Sequence, residues 1–247
     1  MAEAIDILAV GAHPDDVEIA CGGTLAQLAW QGYRVGIVDL TDGEPTPGSP
    51  GPEVRLAEAQ RAAETLGMAM RITLDLPNRR LFDSFESRCK LAAQFRRHRP
   101  RLVIGLGGKT PSASPDHQQA AAIIEAAIFY AKLTKWDEHF EGTAPCEMPT
   151  LLHCFLAFRS PLPLQENLLA VDISDTLETK IAAIRCYASQ FPPEKQRHLD
   201  AVRAVAMQQG VAAGFAAAEM LGSVAPLGTR DLMGALFGAQ LPLRQKI

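Results

Sequence analysis

No run of eighteen uncharged apolar residues occurs anywhere in the 247-residue chain, so no segment reads as a membrane span. The opening "MAEAIDILAVGAHPDD" has no basic n-region and only a short apolar stretch, which argues against a secretory signal. Basic residues are not in excess: 24 Lys and Arg stand against 28 Asp and Glu, a net charge of −4, so a nucleic-acid footprint is not expected. The five cysteines (Cys21, Cys89, Cys146, Cys154, Cys186) are odd in number, scattered and free of any C-x-x-C pair. That excludes a disulfide framework, a structural zinc site of the usual spacing and a redox couple, and leaves reduced, buried thiols. Neither the G-x-G-x-x-G fingerprint nor the G-x-x-x-x-G-K-[ST] loop occurs in the first turn. Repeats, low-complexity tracts and clear linkers are also missing. With 47% apolar residues, the expectation is one soluble, cytoplasmic domain over residues 1–247, with neither nucleic acid nor membrane as partner.

What is present is an alternation of two hydrophobic periods. "IDILAV" (5–10) predicts a strand, the apolar spacing from Thr24 to Tyr33 a helix ended by Gly32, and "VGIVDLT" from Val35 a second strand, together one β-α-β unit. "EVRLAEAQRAAETLG" and "ESRCKLAAQFRRHRP" predict further helices, separated by the strand "RITLDLP" and followed by the strand "RLVIGLGG". Another helix is expected over about 118–132, then strands in "TLLHCFLAF" and "NLLAVDIS", then the helix "DTLETKIAAIRCYASQF". The alanine-rich "AVRAVAMQQGVAAGFAAAEML" reads as helical to its end. This order predicts an α/β fold, a Rossmann-like open and mainly parallel sheet with helices on both faces. The Pro- and Gly-dense "DGEPTPGSPGPE" (42–53) reads as a long loop suited to a lid.

In such sheets ligands collect outside the carboxyl ends of the strands. "GAHPDDVEIACGGT" (11–24) lies at that edge. His13 and Asp16, three residues apart in a loop stiffened by Pro14, can converge on one cation and leave Asp15 free. The best source of a third ligand is "SPDH" (114–117), where His117 opens a helix after the fourth strand. Two histidines and one carboxylate suit Zn2+ with an open position for water, although Fe2+ suits the same donors. Taken singly, either loop is more commonly a capping or hydrogen-bonding feature. Gly22 and Gly23 alone would also allow an anion-binding helix start, the basis of a nucleotide-binding alternative.

"AHPDDVEIACGGTLA" resembles the signature of the PIG-L/LmbE family of zinc-dependent N-deacetylases. The resemblance continues in family order through "TDGE", "EVRLAEAQRAAETLG", "LDLPNRRL", "SPDH", "VDISDTLETKIAAI", "YASQF" and "GFAAAEML". "AIFYAKLTKW" and the "YASQF" segment are most similar to the bacillithiol-pathway deacetylases, which act on N-acetylglucosaminyl malate. The resemblance implies that His13, Asp16 and His117 bind zinc, that Asp15 is the general base, and that Arg55, Tyr187 and Gln190 lie at the substrate pocket. It also implies a small N-acetylated amino sugar or glycoside as substrate and a homo-oligomer, a trimer or hexamer.

One position departs from the family pattern. Where the second motif has H-P-D-H, this chain has Ser114, and an alcohol cannot supply an imidazolium's charge to the leaving amine. Such a loss costs about 10²- to 10³-fold in rate. Three readings follow. Asp15 acts as base and then acid beside Ser114; another histidine (His98, His139, His153 or His198) reaches the site; or the chain holds zinc with catalysis lost or altered. Asp116, the replaced histidine's orienting partner in the family, has a helix N-cap as its simpler role. Arg55 has pairing with Glu58 or Asp42 as its alternative, and Arg79, Arg80 and Lys109 lie near strand ends where an anion could meet them.

Overall fold

A computed structural model describes residues 4–156, 167–223 and 225–228. Its centre is a strand buried at every position, β1 (Ile7–Gly11), flanked by the equally buried β2 (Val35–Asp39). Strands covered on both faces carry continuous apolar runs, which is why "ILAVG" shows no alternation. β1 pairs in parallel with β2 from Ile7↔Val35 to Gly11↔Asp39, and on its other side with β4 (Leu102–Leu106). β3 (Met70–Thr73), β5 (Thr150–Cys154), β6 (Leu168–Asp172) and β7 (Ala218–Ser223) complete a seven-stranded sheet in the order β3-β2-β1-β4-β5-β7-β6. β1 through β5 run parallel, whereas β7 is antiparallel to both β5 and β6.

The helices form two groups. α1 (Asp16–Trp30), α2 (Pro52–Leu66), α5 (Leu177–Arg185) and α6 (Gln196–Ala213) pack together, and α3 (Phe85–His98) packs on α4 (Asp116–Tyr130). Right-handed crossovers put these groups on opposite faces of the sheet. At the end of α3, the fully buried Arg96 donates to the carbonyls of Tyr130 (3.2 Å), Ala131 (3.1 Å) and Leu133 (2.5 Å), satisfying the C-terminal turn of α4 and the chain beyond it.

Besides α5 stopping at Arg185 instead of running through "YASQF", two elements differ from the sequence-based expectation. α1 starts at Asp16 rather than Thr24, and is broken at Cys21 (φ −146°, ψ 19°). The second half regains a start there: the buried Glu219 carboxylate accepts from the amides of Gly23 (3.0 Å) and Thr24 (2.7 Å) and from the Thr24 hydroxyl (2.6 Å), with Lys180 Nζ 2.5 Å away. A Cβ at Gly23 would meet Ile173 side-chain atoms at 2.8–3.0 Å, so the glycine lets this contact close. The second difference is the alanine-rich tail. Helix α6 stops at Ala213, Gly214 (φ 84°) takes the left-handed cap, and "AEMLGS" forms β7. Helix propensity loses here to ladder pairing and to the Glu219 contacts. The last two residues of the run "TLLHCFLAF" lie outside the described residues.

Candidate active site

β1 and β4 are neighbours whose outgoing connections lead to opposite halves of the sheet, so their carboxyl ends open a crevice. The loop after β1 and the loop before α4 meet in it. His13, Asp16 and His117 each present a ligand atom, and these atoms all lie within 4.8 Å of one another. Asp16 Oδ2 accepts from the amides of Ala12 (3.0 Å) and His13 (2.9 Å) and lies 3.3 Å from His13 Nδ1, while Oδ1 lies 3.3 Å from His117 Nε2. Burial works against the Asp16 charge, but the two imidazoles outweigh it and hold the carboxyl well below its ordinary range. Burial likewise opposes charge on His13; the Asp16 charge and hydrogen bonds to Asp116 and Asp16 prevail and raise it to about 10. Two imidazoles and a carboxylate packed this closely, with His117 Nδ1 buried and without a partner, make a fitting donor set for a divalent cation.

Asp15 occupies the N-cap position of α1 with φ 113°, a left-handed conformation that a non-glycine residue enters at a cost. It makes no side-chain cap bond, so the carboxylate turns to the cavity instead. There Arg55 Nη2 donates to Asp15 Oδ2 (3.0 Å) and to the Pro14 carbonyl (2.5 Å). Burial pushes the Asp15 carboxyl up and Arg55 pulls it back, with about 7 as the balance. Arg55 pairs with neither Glu58 nor Asp42. Its Nε and Nη1 are buried without partners, and its guanidinium carbon sits 5.6 Å from the centre of the Tyr187 ring. Gly43 (φ 76°) packs against this corner, where a Cβ would lie 3.2 Å from Pro14 Cδ.

Asp116 is the first residue of α4 rather than its cap, which is Pro115. Its Oδ2 lies 3.3 Å from His13 Nε2 and accepts from the Arg79 amide at 2.6 Å. Burial opposes its charge, but the hydrogen bonds from His13 and from the Arg79 and Leu81 amides keep the carboxyl below its ordinary value. A carboxylate behind an imidazole fixes ring orientation and tautomer, the usual second layer of a metal site. The N-cap reading of Asp116 therefore gives way to contact with His13. Ser114 lines the cavity, and its Oγ accepts from the Asp116 amide (3.3 Å).

The cavity holds about 280 Å³, with His13, Asp15, Asp16, Arg55, Ser114 and His117 on its polar side and Ile19, Leu156 and Phe191 on its apolar side. None of His98, His139, His153 and His198 lines it; His153 instead lies 3.3 Å from Glu125. Tyr187 is fully buried and donates to Glu18 Oε1 (2.8 Å), so it borders the site only through Arg55. Gln190 turns to the Ser189 hydroxyl (3.1 Å) and does not line the cavity. Sequence reasoning missed Phe191, Leu156, Asn78 and Thr110 as lining residues, and the Arg79 amide as the partner of Asp116. Asn78 and the Arg79 amide have a local trace in the polar turn "PNRR" after β3, in which Arg79 adopts φ 63°, and Phe191 closes the "YASQF" segment.

Residues 8–128 match the family model PIG-L, described as GlcNAc-PI de-N-acetylase. A diacetylchitobiose deacetylase of Thermococcus kodakarensis is 31% identical over 225 residues, covering 86% of this chain and 80% of that protein. A 4-oxalmesaconate hydratase of Pseudomonas putida is 28% identical over 221 residues, covering 83% of this chain and 80% of that protein. Among solved structures, a conserved protein of Thermus thermophilus superposes with a TM-score of 0.79 at 33% identity, covering 91% of this chain and 97% of the other. With that extent of likeness, and with "AHPDD" and "SPDH" brought together at one crevice, the chain belongs to the PIG-L family.

Proposed function

We propose that this protein is a metal-dependent amide hydrolase that removes the acetyl group from an N-acetylated amino sugar or its glycoside. The observation that carries the reading is the convergence of His13, Asp16 and His117 beside Asp15, which is paired with Arg55, in a cavity of about 280 Å³. A divalent cation held by the three residues, with zinc the first choice, would polarise the acetamide carbonyl and acidify water. Asp15, near neutrality at about 7, is suited to take a proton from the attacking water and to give one up afterwards. The water oxygen bonds to the carbonyl carbon, the C–N bond breaks, and the proton held on Asp15 goes to the leaving nitrogen. Acetate and a free amine result. Arg55 holds Asp15 in place from the cavity wall.

Ser114 supports one second reading, a metal-holding protein of the same fold with lost or altered catalysis. No histidine other than His13 and His117 lines the cavity to replace the missing one. Two variants separate the readings. Asp15→Asn is expected to keep metal while turnover falls about 10²- to 10⁴-fold, and His13→Ala to lose both metal and turnover. Undiminished acetate release by Asp15→Asn would remove Asp15 from the mechanism.

A further inference from the structure

The apolar side of the inner cavity is a thin partition. Ile19 lines that cavity and also a second, narrow one of about 20 Å³ behind it. The two residues after β5 divide in the same way: Leu156 faces the inner cavity and Phe155 the rear one. Val202 and Val205 of α6, with Ala218 and Met220 of β7, supply further apolar wall at the rear. The polar groups there are engaged: Glu219 with Lys180 and the Gly23 and Thr24 amides, and the Gln209 side-chain oxygen with the Met220 amide (3.0 Å). A space of that size holds about one water, and with its polar groups taken it offers that water few partners. Ile19 itself is placed by the turn that places the chemistry. Its amide donates to the Asp15 carbonyl (3.0 Å), so its side chain stands one turn, about 5.4 Å, along α1 from Asp15 and on the face shared with Asp16.

We propose that Ile19 is a specificity-determining residue that sets acyl length: the acetyl methyl ends against its side chain, which closes off the rear cavity to a longer chain. The inference rests on the deacetylase reading for the amide that enters the inner cavity. An amide whose oxygen and nitrogen face His13, Asp15, Asp16 and His117 carries its two carbon substituents, the sugar on nitrogen and the acyl chain on carbon, at opposite ends of its plane. Ile19 and Leu156 are only 7% and 8% exposed. Sugar hydroxyls would lose water against such buried aliphatic side chains without gaining hydrogen bonds, whereas an alkyl chain loses nothing there. The acyl end therefore takes this wall and the sugar takes the open side.

The test compares N-acetyl-, N-propionyl- and N-butyrylglucosamine by kcat/KM for amine release from the zinc-loaded protein. In parallel, acetohydroxamate, propionohydroxamate and butyrohydroxamate are compared by calorimetric binding to the same protein, since hydroxamates chelate the cation and need no turnover. One methylene too many in an apolar pocket costs about 10- to 200-fold, so the wild type should prefer acetyl to butyryl by at least about 10-fold in both series. Ile19→Ala joins the two cavities and should raise the butyryl-to-acetyl ratio by about 10-fold or more. Ile19→Val, the milder cut should the alanine variant not fold, should move the ratio the same way by a smaller factor. Val205→Ala enlarges the rear cavity behind an intact partition and should leave the ratio at its wild-type value. Equal binding of the three hydroxamates to wild type, a ratio unmoved by both Ile19 variants, or an equal shift in Val205→Ala overturns the inference. Amine release without chain-length preference overturns it alone; chain-length-selective binding that responds to Ile19, without amine release, overturns only the deacetylase reading.

Discussion

Removing the Asp116 carboxylate tests whether the layer behind the proposed metal ligands matters. Asp116 Oδ2 receives two contacts, 3.3 Å from His13 Nε2 and 2.6 Å from the Arg79 amide. In Asp116→Ala the His13 ring loses the group that selects its tautomer and direction. Loss of such a partner costs about 10- to 100-fold in metal affinity, which corresponds to about 1.4–2.8 kcal/mol. The folding cost is comparable, about 1–3 kcal/mol, because the hydrogen bonds from the Arg79 and Leu81 amides to this buried carboxylate are lost. Asp116→Asn keeps an oxygen for the Arg79 amide and removes the charge, so it should fall between wild type and alanine. Competition with a chromophoric zinc chelator measures the affinity, and urea unfolding of the metal-free proteins measures the fold. Metal affinity within twofold of wild type in Asp116→Ala would refute the reasoning, since Asp16 and the loop backbone would then suffice to orient His13.

Two further outcomes follow from named contacts. Ser114→His should raise kcat by less than about 10-fold, short of the 10²- to 10³-fold an ideal electrostatic donor supplies. Asp116 is already committed to His13 and Arg79 and is not free to orient a new imidazole; a 100-fold gain would contradict that commitment. Glu219→Ala leaves Lys180 buried and uncompensated beside the broken start of the second half of α1, so urea unfolding should report a loss of about 3–5 kcal/mol. Lys180→Met added to it should recover most of that loss, and a double variant as unstable as the single one would place the cost in the lost amide bonds instead.

The sheet from β1 to β5 was legible because its signals are local. Val35 and Leu102 open buried runs of strand length, Gly67 caps α2, and Ser84 caps α3 through the Ser87 amide. The first half of α1 was not, because Cys21, Gly22 and Gly23 interrupt the helical pattern, and the group that restarts the helix, Glu219, lies almost two hundred residues later. β7 failed for the same reason. "FAAAEML" carries helix propensity, and its strand exists through pairing with β5 and β6, which no local window contains. At the site, His13, Asp16 and His117 were legible because two strand-end loops of a parallel sheet must open on one crevice. The partners of Asp116 and Arg55 were not, since a side chain's bonding choice depends on neighbours set by topology: the Arg79 amide for one, Asp15 rather than Glu58 or Asp42 for the other.

The central claim is amide hydrolysis that depends on the cation held by His13, Asp16 and His117. Its most direct measurement is acetate and free-amine release from N-acetylglucosamine conjugates by the zinc-loaded protein, the chelated protein and the chelated protein resupplied with zinc. Release that vanishes on chelation and returns on resupply is the predicted result. Stoichiometric metal binding with no release from any conjugate would contradict the account and leave a metal-holding protein that does not deacetylate these sugars.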